Sequence, residues 1–198
     1  MPSVRHIPTP IVQRAKPRIR TWAELKELFP LKLDYRIELT IVRHGETETN
    51  VAGRITGEQN VALTKRGWRQ AREVSHLLGP EYSVAYCSEL SRAKMTLANA
   101  LAQDRTQVER IVYDARLNER SMGELERRPA LPIREYATGN LSYAPPGGET
   151  YRHVTQRVLS FLYDIVQSGH TDALVVSHMG PMRMLMGILT NESYPVRV

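Results

Sequence analysis

Short apolar runs alternating with amphipathic segments constrain this chain more than any other feature. "IELTIV" at 37–42, "SVAYCS" at 83–88, "RIVYDARL" at 110–117 and "DALVVS" at 172–177 have the length and β-branched content of buried strands. Between them lie helical patterns. "TKRGWRQAREVSHLLGP" offers Thr64 as a cap, places Trp68, Ala71, Val74 and Leu78 on one face, and stops at Gly79-Pro80. "ELSRAKMTLANALAQ" lines up Leu90, Ala93, Leu97, Ala100 and Leu101, and "ETYRHVTQRVLSFLYDIVQSG" lines up Tyr151, Val154, Val158, Leu162 and Ile165. "GPMRMLMGILT" reads as a last helix with Pro181 at its first position, and "TWAELKELFP" as a short early one boxed by Thr21 and Glu24. Such alternation predicts an α/β three-layer sandwich, a mainly parallel sheet with helices on both faces.

With 198 residues the chain has room for one domain with a real core. The expected division is a basic extension with a short helix at 1–36 and a domain at 37–198. Within the domain, the regular pattern dissolves at 118–148, a stretch expected to form a lid. Net charge is +6, which raises nucleic acid as a partner, but Arg5, Arg14, Lys16, Arg18 and Arg20 account for +5 before residue 21. A near-neutral body behind a basic tail is no nucleic-acid face. The tail has four prolines and no apolar core of a secretory signal, while an organelle-targeting role stays open. No run of about 18 apolar residues occurs, so no membrane partner is expected. Cys87 stands alone, which fits a reducing, cytoplasmic setting, and its apolar neighbours make it a small buried hydrophobe. Nothing in the sequence speaks to oligomeric state.

In a parallel sheet, ligands bind beyond the carboxyl ends of the strands. Those ends are informative. The first run leads into Arg43-His44 and the second into Ser88, with Arg92 four residues later. The third leads through Leu117-Asn118 to Glu119, and the fourth into Ser177-His178 before a helix start. Two imidazoles, two guanidiniums and a carboxylate at one sheet edge, beside helix N-termini, suit a tetrahedral anion such as phosphate. A metal site does not fit. Arg43 would repel a dication, and H-E-x-x-H, paired cysteines and an acidic cluster are missing from the sequence.

At these residues the chain resembles the histidine phosphatase superfamily, the phosphoglycerate-mutase-like proteins. "VRHGETETN", "NVALTKRGWRQA", "SELSRAKMT", "LNERSMGELE", "PPGGET" and "VVSHMG" are similar to that family's blocks, in family order from residue 37 to 180. The resemblance implies a metal-independent phosphomonoester hydrolase without a cofactor, acting on a small phosphorylated substrate. His44 would be the nucleophile that forms a phosphohistidine, and Glu119 the general acid and base. Arg43, Arg92 and His178 would clamp the phosphoryl oxygens, with Asn50 and Met179 beside the substrate. Arg120, with Arg127, Arg128 and Arg134, hints at a second anionic group on the substrate, and Tyr136 and Tyr143 at a stacked ring.

Two positions depart from the family pattern: Met179 stands where glycine is common, and Asn60 where aspartate is. Glu119 and His178 are 59 residues apart, too close for the long insertion of the cofactor-dependent mutases, and "NERSMG" lacks their E-R-H-Y-G. Hydrolysis is therefore favoured over a mutase-type phosphotransfer. The reading from another class is a non-catalytic phosphate-binding domain.

Overall fold

A computed structural model describes residues 37–130 and 140–190. The helix expected at 21–30, Arg134 and Tyr136 lie outside the described residues. In chain order the elements are β1 (Glu38–Arg43), α1 (Glu48–Val51), α2 (Lys65–Val74), β2 (Glu81–Tyr82), β3 (Ala85–Cys87), α3 (Ser91–Leu101), β4 (Gln107–Val108), β5 (Ile111–Tyr113), α4 (Tyr151–Gln167), β6 (Asp172–Ser177) and α5 (Met179–Thr190). Two 3-10 turns, Ala115–Leu117 and Gly123–Leu125, follow β5. The main sheet runs β1-β6-β3-β5 with every pairing parallel, and β2 and β4 form a separate parallel pair.

Period-two alternation sorts the strand side chains onto two covered faces. Leu39 and Ile41 of β1, Val175 of β6 and Tyr86 of β3 pack against α4 and Leu117, while Met184 and Leu185 of α5 join the α4 stripe. On the opposite face, Val42, Leu174, Val176, Ala85 and Cys87 meet Ala93 and Leu97 of α3 and Leu78 beyond α2. Helices therefore lie on both faces, which is why the strands are apolar throughout rather than alternating with polar residues. Val154, Val158 and Phe161 of α4 are fully buried, and burial of each such side chain stabilises by about 1.5–3 kcal/mol. Among the described residues, no helix is long and apolar enough to cross a membrane.

Three expected boundaries differ, each for a local reason. α2 ends at Val74 rather than running on to Gly79, because Ser75, His76 and Leu77 donate to carbonyls three residues back and tighten the chain into turns. Trp68, expected on the inner face, is 40 % exposed, since Gly67 and Ala71 make the close approach. The strand at 110–117 ends at Tyr113, where the Asp114 carboxylate accepts the Arg116 N–H and starts a 3-10 turn. Pro181 is the third residue of α5, not the first. At either place it has no intrahelical acceptor to lose.

Register decides what the fold presents at its carboxyl edge. Arg43 pairs with Ser177 and Cys87 with Val176. The His44 N–H donates to the Ser177 carbonyl (3.1 Å) and the Ser88 N–H to the Val176 carbonyl (3.0 Å). With β6 between β1 and β3, the chain leaves three adjacent strands at His44, Ser88 and His178.

Candidate active site

The loop after β1 is positioned by the start of α2. Thr64 caps that helix by accepting the Gly67 N–H, and its hydroxyl donates to the Glu46 carboxylate at 2.8 Å. Gln70 accepts the Glu46 N–H at 2.8 Å. Gly45 and Gly67 meet backbone to backbone. A Cβ on Gly45 would stand 2.5 Å from the Gly67 oxygen, and one on Gly67 would stand 2.1 Å from the Glu46 oxygen. The "RHGE" and "LTKRGWRQA" stretches are thus two halves of one contact, and its purpose is to fix His44.

His44 is 8 % exposed. Its Nδ1 lies 2.7 Å from the Gly45 carbonyl, an acceptor only, so Nδ1 carries the proton and Nε2 keeps its lone pair. Arg92 Nε points at that Nε2 from 3.3 Å. Burial, together with the Arg92 and Arg43 charges, lowers the His44 pKa to about 4, despite an opposing contribution from the Gly45 bond. The imidazole is therefore neutral and nucleophilic at neutral pH.

Arg92, 1 % exposed near the start of α3, is held by the Gln59 carbonyl (2.7 Å) and the Gly57 carbonyl (2.8 Å). Burial lowers its pKa to about 10, with Glu119, Glu126 and Glu58 opposing, so it stays a cation at neutral pH. His178 is fully buried, its ring centroid 4.9 Å from that of His44. Its Nε2 lies 2.7 Å from the Ser88 hydroxyl, which itself donates to Asn118 Oδ1, so Nε2 is the donor and Nδ1 is left bare. That Nδ1 has no hydrogen-bond partner. Burial, then Arg92 and His44, holds the His178 pKa well below the ordinary histidine value. A dianion arriving here would reverse that preference and recruit a proton to Nδ1.

Glu119 reaches the same place from the turn after β5. Its Oε1 accepts the N–H groups of Arg120 (2.8 Å) and Gly180 (3.1 Å). A Cβ on Gly180 would sit 2.3 Å from that oxygen, so only glycine lets the carboxylate approach the start of α5. Burial raises the Glu119 pKa, although both backbone bonds and Arg92 act against it. A carboxyl poised above its usual range can carry a proton to a leaving oxygen and remove one from water.

Arg43 is exposed, and it lines an open cavity of about 530 Å³ with His44, Asn50, Arg54, Gln70 and Thr96. Arg92, Glu119 and His178 are not part of that wall. Arg92 and His178 meet His44 directly, and Glu119 stands close enough to Arg92 for their charges to interact. Asn50 spends its carboxamide oxygen on the Thr47 N–H and hydroxyl, closing a capping box on α1, so its NH2 is the end available to an anion. Met179, partly buried, is the first residue of α5 and adjoins His178.

Arg120 is the residue the structure moves. It was expected beside the substrate, but its guanidinium donates to the carbonyls of Glu149 (2.6 Å) and Tyr143 (2.9 Å) and lies 4.3 Å over the Tyr151 ring. At 2 % exposure it straps the loop before α4 to the Glu119 turn.

Residues 39–195 match the family model described as the histidine phosphatase superfamily, branch 1. The chain belongs to that superfamily. It is 32 % identical over 161 residues to a 2,3-bisphosphoglycerate-dependent phosphoglycerate mutase of Rhizobium etli, covering 74 % of this chain and 77 % of that one. It is also 32 % identical over 163 residues to the adenosylcobalamin/alpha-ribazole phosphatase of Escherichia coli, covering 77 % and 79 %. The crystal structure of the alpha-ribazole phosphatase from Shigella flexneri superposes with a TM-score of 0.68 at 29 % identity, covering 78 % of this chain and 80 % of that one.

Two residues inside the quoted blocks, Thr96 and Glu126, gain a role that the sequence alone did not assign. Thr96 accepts the Gly45 N–H at 3.0 Å, which explains the threonine of "SRAKMT". Glu126 Oε1 accepts the N–H groups of Glu58 (3.0 Å) and Met122 (3.1 Å), tying the loop that holds Arg92 to the segment that follows Glu119. Only its place in "GELE" signalled it. Asn60, which stands where the family pattern has aspartate, accepts the Ser91 N–H at 2.9 Å and so does a cap's work for α3, whose own N-cap, Leu90, makes no side-chain cap bond.

Proposed function

We propose that the chain hydrolyses phosphomonoesters through a phosphohistidine on His44. The reading rests on one observation: an unprotonated, buried Nε2 faces Arg92, with a second imidazole 4.9 Å away whose Nδ1 is unsatisfied. Arg43, Arg92, His178 and the Asn50 NH2 hold the phosphoryl oxygens. The His44 Nε2 lone pair forms a bond to phosphorus as the ester P–O bond breaks, and Glu119 gives its proton to the departing alkoxide. Glu119, now a carboxylate, takes a proton from water as that water attacks phosphorus. The P–N bond breaks and inorganic phosphate leaves. Positioning and fixed cations carry most of the rate in such a transfer, one preorganised donor being worth about 3 kcal/mol.

Met179 borders the phosphoryl group, and the described part of the stretch expected as a lid at 118–148, which carries Glu119 and Ser121, bounds the leaving group; residues 131–139 of it lie outside the described residues. Arg120 acts by holding that stretch in place. The domain spans 37–198 behind a basic extension, and a cytoplasmic setting agrees with its single, buried thiol. Purified protein is expected to hydrolyse p-nitrophenyl phosphate in excess EDTA and to be inhibited by vanadate. Vanadate binding without turnover would favour a phosphate-binding domain, and loss of turnover in EDTA would overturn the metal-independent route.

A further inference from the structure

A phosphoryl oxygen resting on His178 needs a proton at Nδ1, yet in the free site that nitrogen is buried and without a partner. The cause lies two hydrogen bonds away. The Glu89 N–H donates to Asn118 Oδ1 at 2.9 Å, which settles that the carboxamide turns its oxygen, not its NH2, toward Ser88. Ser88 is fully buried, and its one hydroxyl proton goes to that oxygen at 2.8 Å. The Leu90 N–H occupies one lone pair of the hydroxyl at 3.2 Å. The other lone pair can only accept, so His178 Nε2, 2.7 Å away, is the donor. Asn118 is itself held in place. Its N–H donates to the Ala115 carbonyl at 3.0 Å, and the preceding Leu117 carbonyl accepts the Ser177 hydroxyl at 2.7 Å. A flipped carboxamide would reverse the chain and put the His178 proton on Nδ1.

Resting on the reading above that His178 holds a phosphoryl oxygen, we propose that Asn118 is a positioning residue. Acting through Ser88, it keeps free His178 in the Nε2–H form, so that each tetrahedral dianion binds together with one proton taken from solvent onto Nδ1. The bound ring is then an imidazolium, with Nε2–H on Ser88 and Nδ1–H on the anion, and the proton returns to solvent when phosphate leaves. The surroundings suit this exchange. Burial keeps the free ring neutral, helped by Arg92 of α3, His44 after β1, Arg157 of α4 and Arg43 of β1. Glu119, from the turn after β5, spends its Oε1 on the Arg120 and Gly180 N–H groups. A dianion set among these cations tips the balance toward the charged ring. A phosphate ester can bring the same proton on its monoanion, so in turnover the requirement coincides with the limb from the substrate's second ionisation, at about pH 6.

The test uses the full chain and tungstate, a tetrahedral dianion that carries no proton of its own at neutral pH. Titrated calorimetrically in buffers of different ionisation enthalpy, wild type should take up about one proton per tungstate bound, and Kd should rise about tenfold per pH unit on the alkaline side of neutrality. Ring-nitrogen NMR shifts should place the proton of free His178 on Nε2. Asn118→Leu frees the Ser88 hydroxyl to donate to Nε2, so a neutral ring can offer Nδ1–H. Uptake should then fall below about half a proton, and the pH dependence should flatten. Asn118→Asp keeps an acceptor for both donors and should keep the wild-type uptake, while Asn118→Ala replaces the leucine variant if leucine unfolds the turn. A merely loosened site would bind more weakly without changing the proton count. Free wild-type His178 protonated on Nδ1, wild-type uptake below about half a proton, or full uptake in folded Asn118→Leu protein would each overturn the proposal. Tungstate bound with its proton by a protein inactive on p-nitrophenyl phosphate counts against the phosphatase reading alone, and tungstate that does not bind removes both.

Discussion

Replacing His44 with alanine is expected to slow p-nitrophenyl phosphate hydrolysis by at least about 10⁴-fold, the scale on which loss of an enzyme's nucleophile is felt. Arg92 and His178 would still bind phosphate, so the loss should fall on kcat and not on KM. The same variant reports on the fold through pH. The His44 pKa is lowered from 6.5 to about 4 in the folded protein, so below 6.5 the unfolded chain takes up a proton that the native state refuses. Wild-type stability therefore declines as pH falls from about 6.5 to about 4, by about 3 kcal/mol from this residue. His44→Ala should lack that part of the decline in urea unfolding. An alanine protein that is well folded yet retains more than a hundredth of wild-type kcat would remove His44 from the mechanism.

Glu119→Gln separates the two halves of the reaction. For an alkyl phosphate, whose alkoxide needs a proton to leave, kcat/KM should fall by about 10²–10⁴-fold. For p-nitrophenyl phosphate, whose phenolate leaves unaided, the fall should be under about tenfold. The pH profile carries the sign. His44 must be unprotonated, so kcat/KM rises as pH climbs through about 4. Glu119 must be protonated for transfer to His44, so kcat/KM for an alkyl phosphate falls as pH climbs through its raised pKa. The variant should lose that falling limb, while any limb from the second ionisation of the substrate, near pH 6, should remain in both proteins. Equal losses across a series of leaving groups would mean that Glu119 is not the acid.

The architecture could be read from the chain because β1, β3, β5 and β6 are largely apolar and the longer helices α3 and α4 each carry one apolar stripe. Those are properties of the residues themselves. Their common edge could be read because a parallel sheet gathers its carboxyl ends. The carbonyls of Gly57 and Gln59 that hold Arg92 left no trace, since a backbone acceptor has no letter in the sequence. Arg120 misled because an arginine serves as well for strapping loops as for gripping anions, and only the carbonyls around it decide which. The early end of α2 and the break after Tyr113 came from Ser75 and Asp114, short polar side chains that compete with regular backbone bonding.

The central claim is that phosphate passes through His44 Nε2. Its most direct test is rapid alkaline quench of turnover with a fast-leaving aryl phosphate, followed by peptide mass spectrometry. A phosphorylated histidine on the peptide bearing His44, lost on brief acid treatment and accumulating in the Glu119→Gln protein, is the predicted result. Steady turnover with no adduct on that imidazole, or with phosphate carried by another residue, would contradict the account.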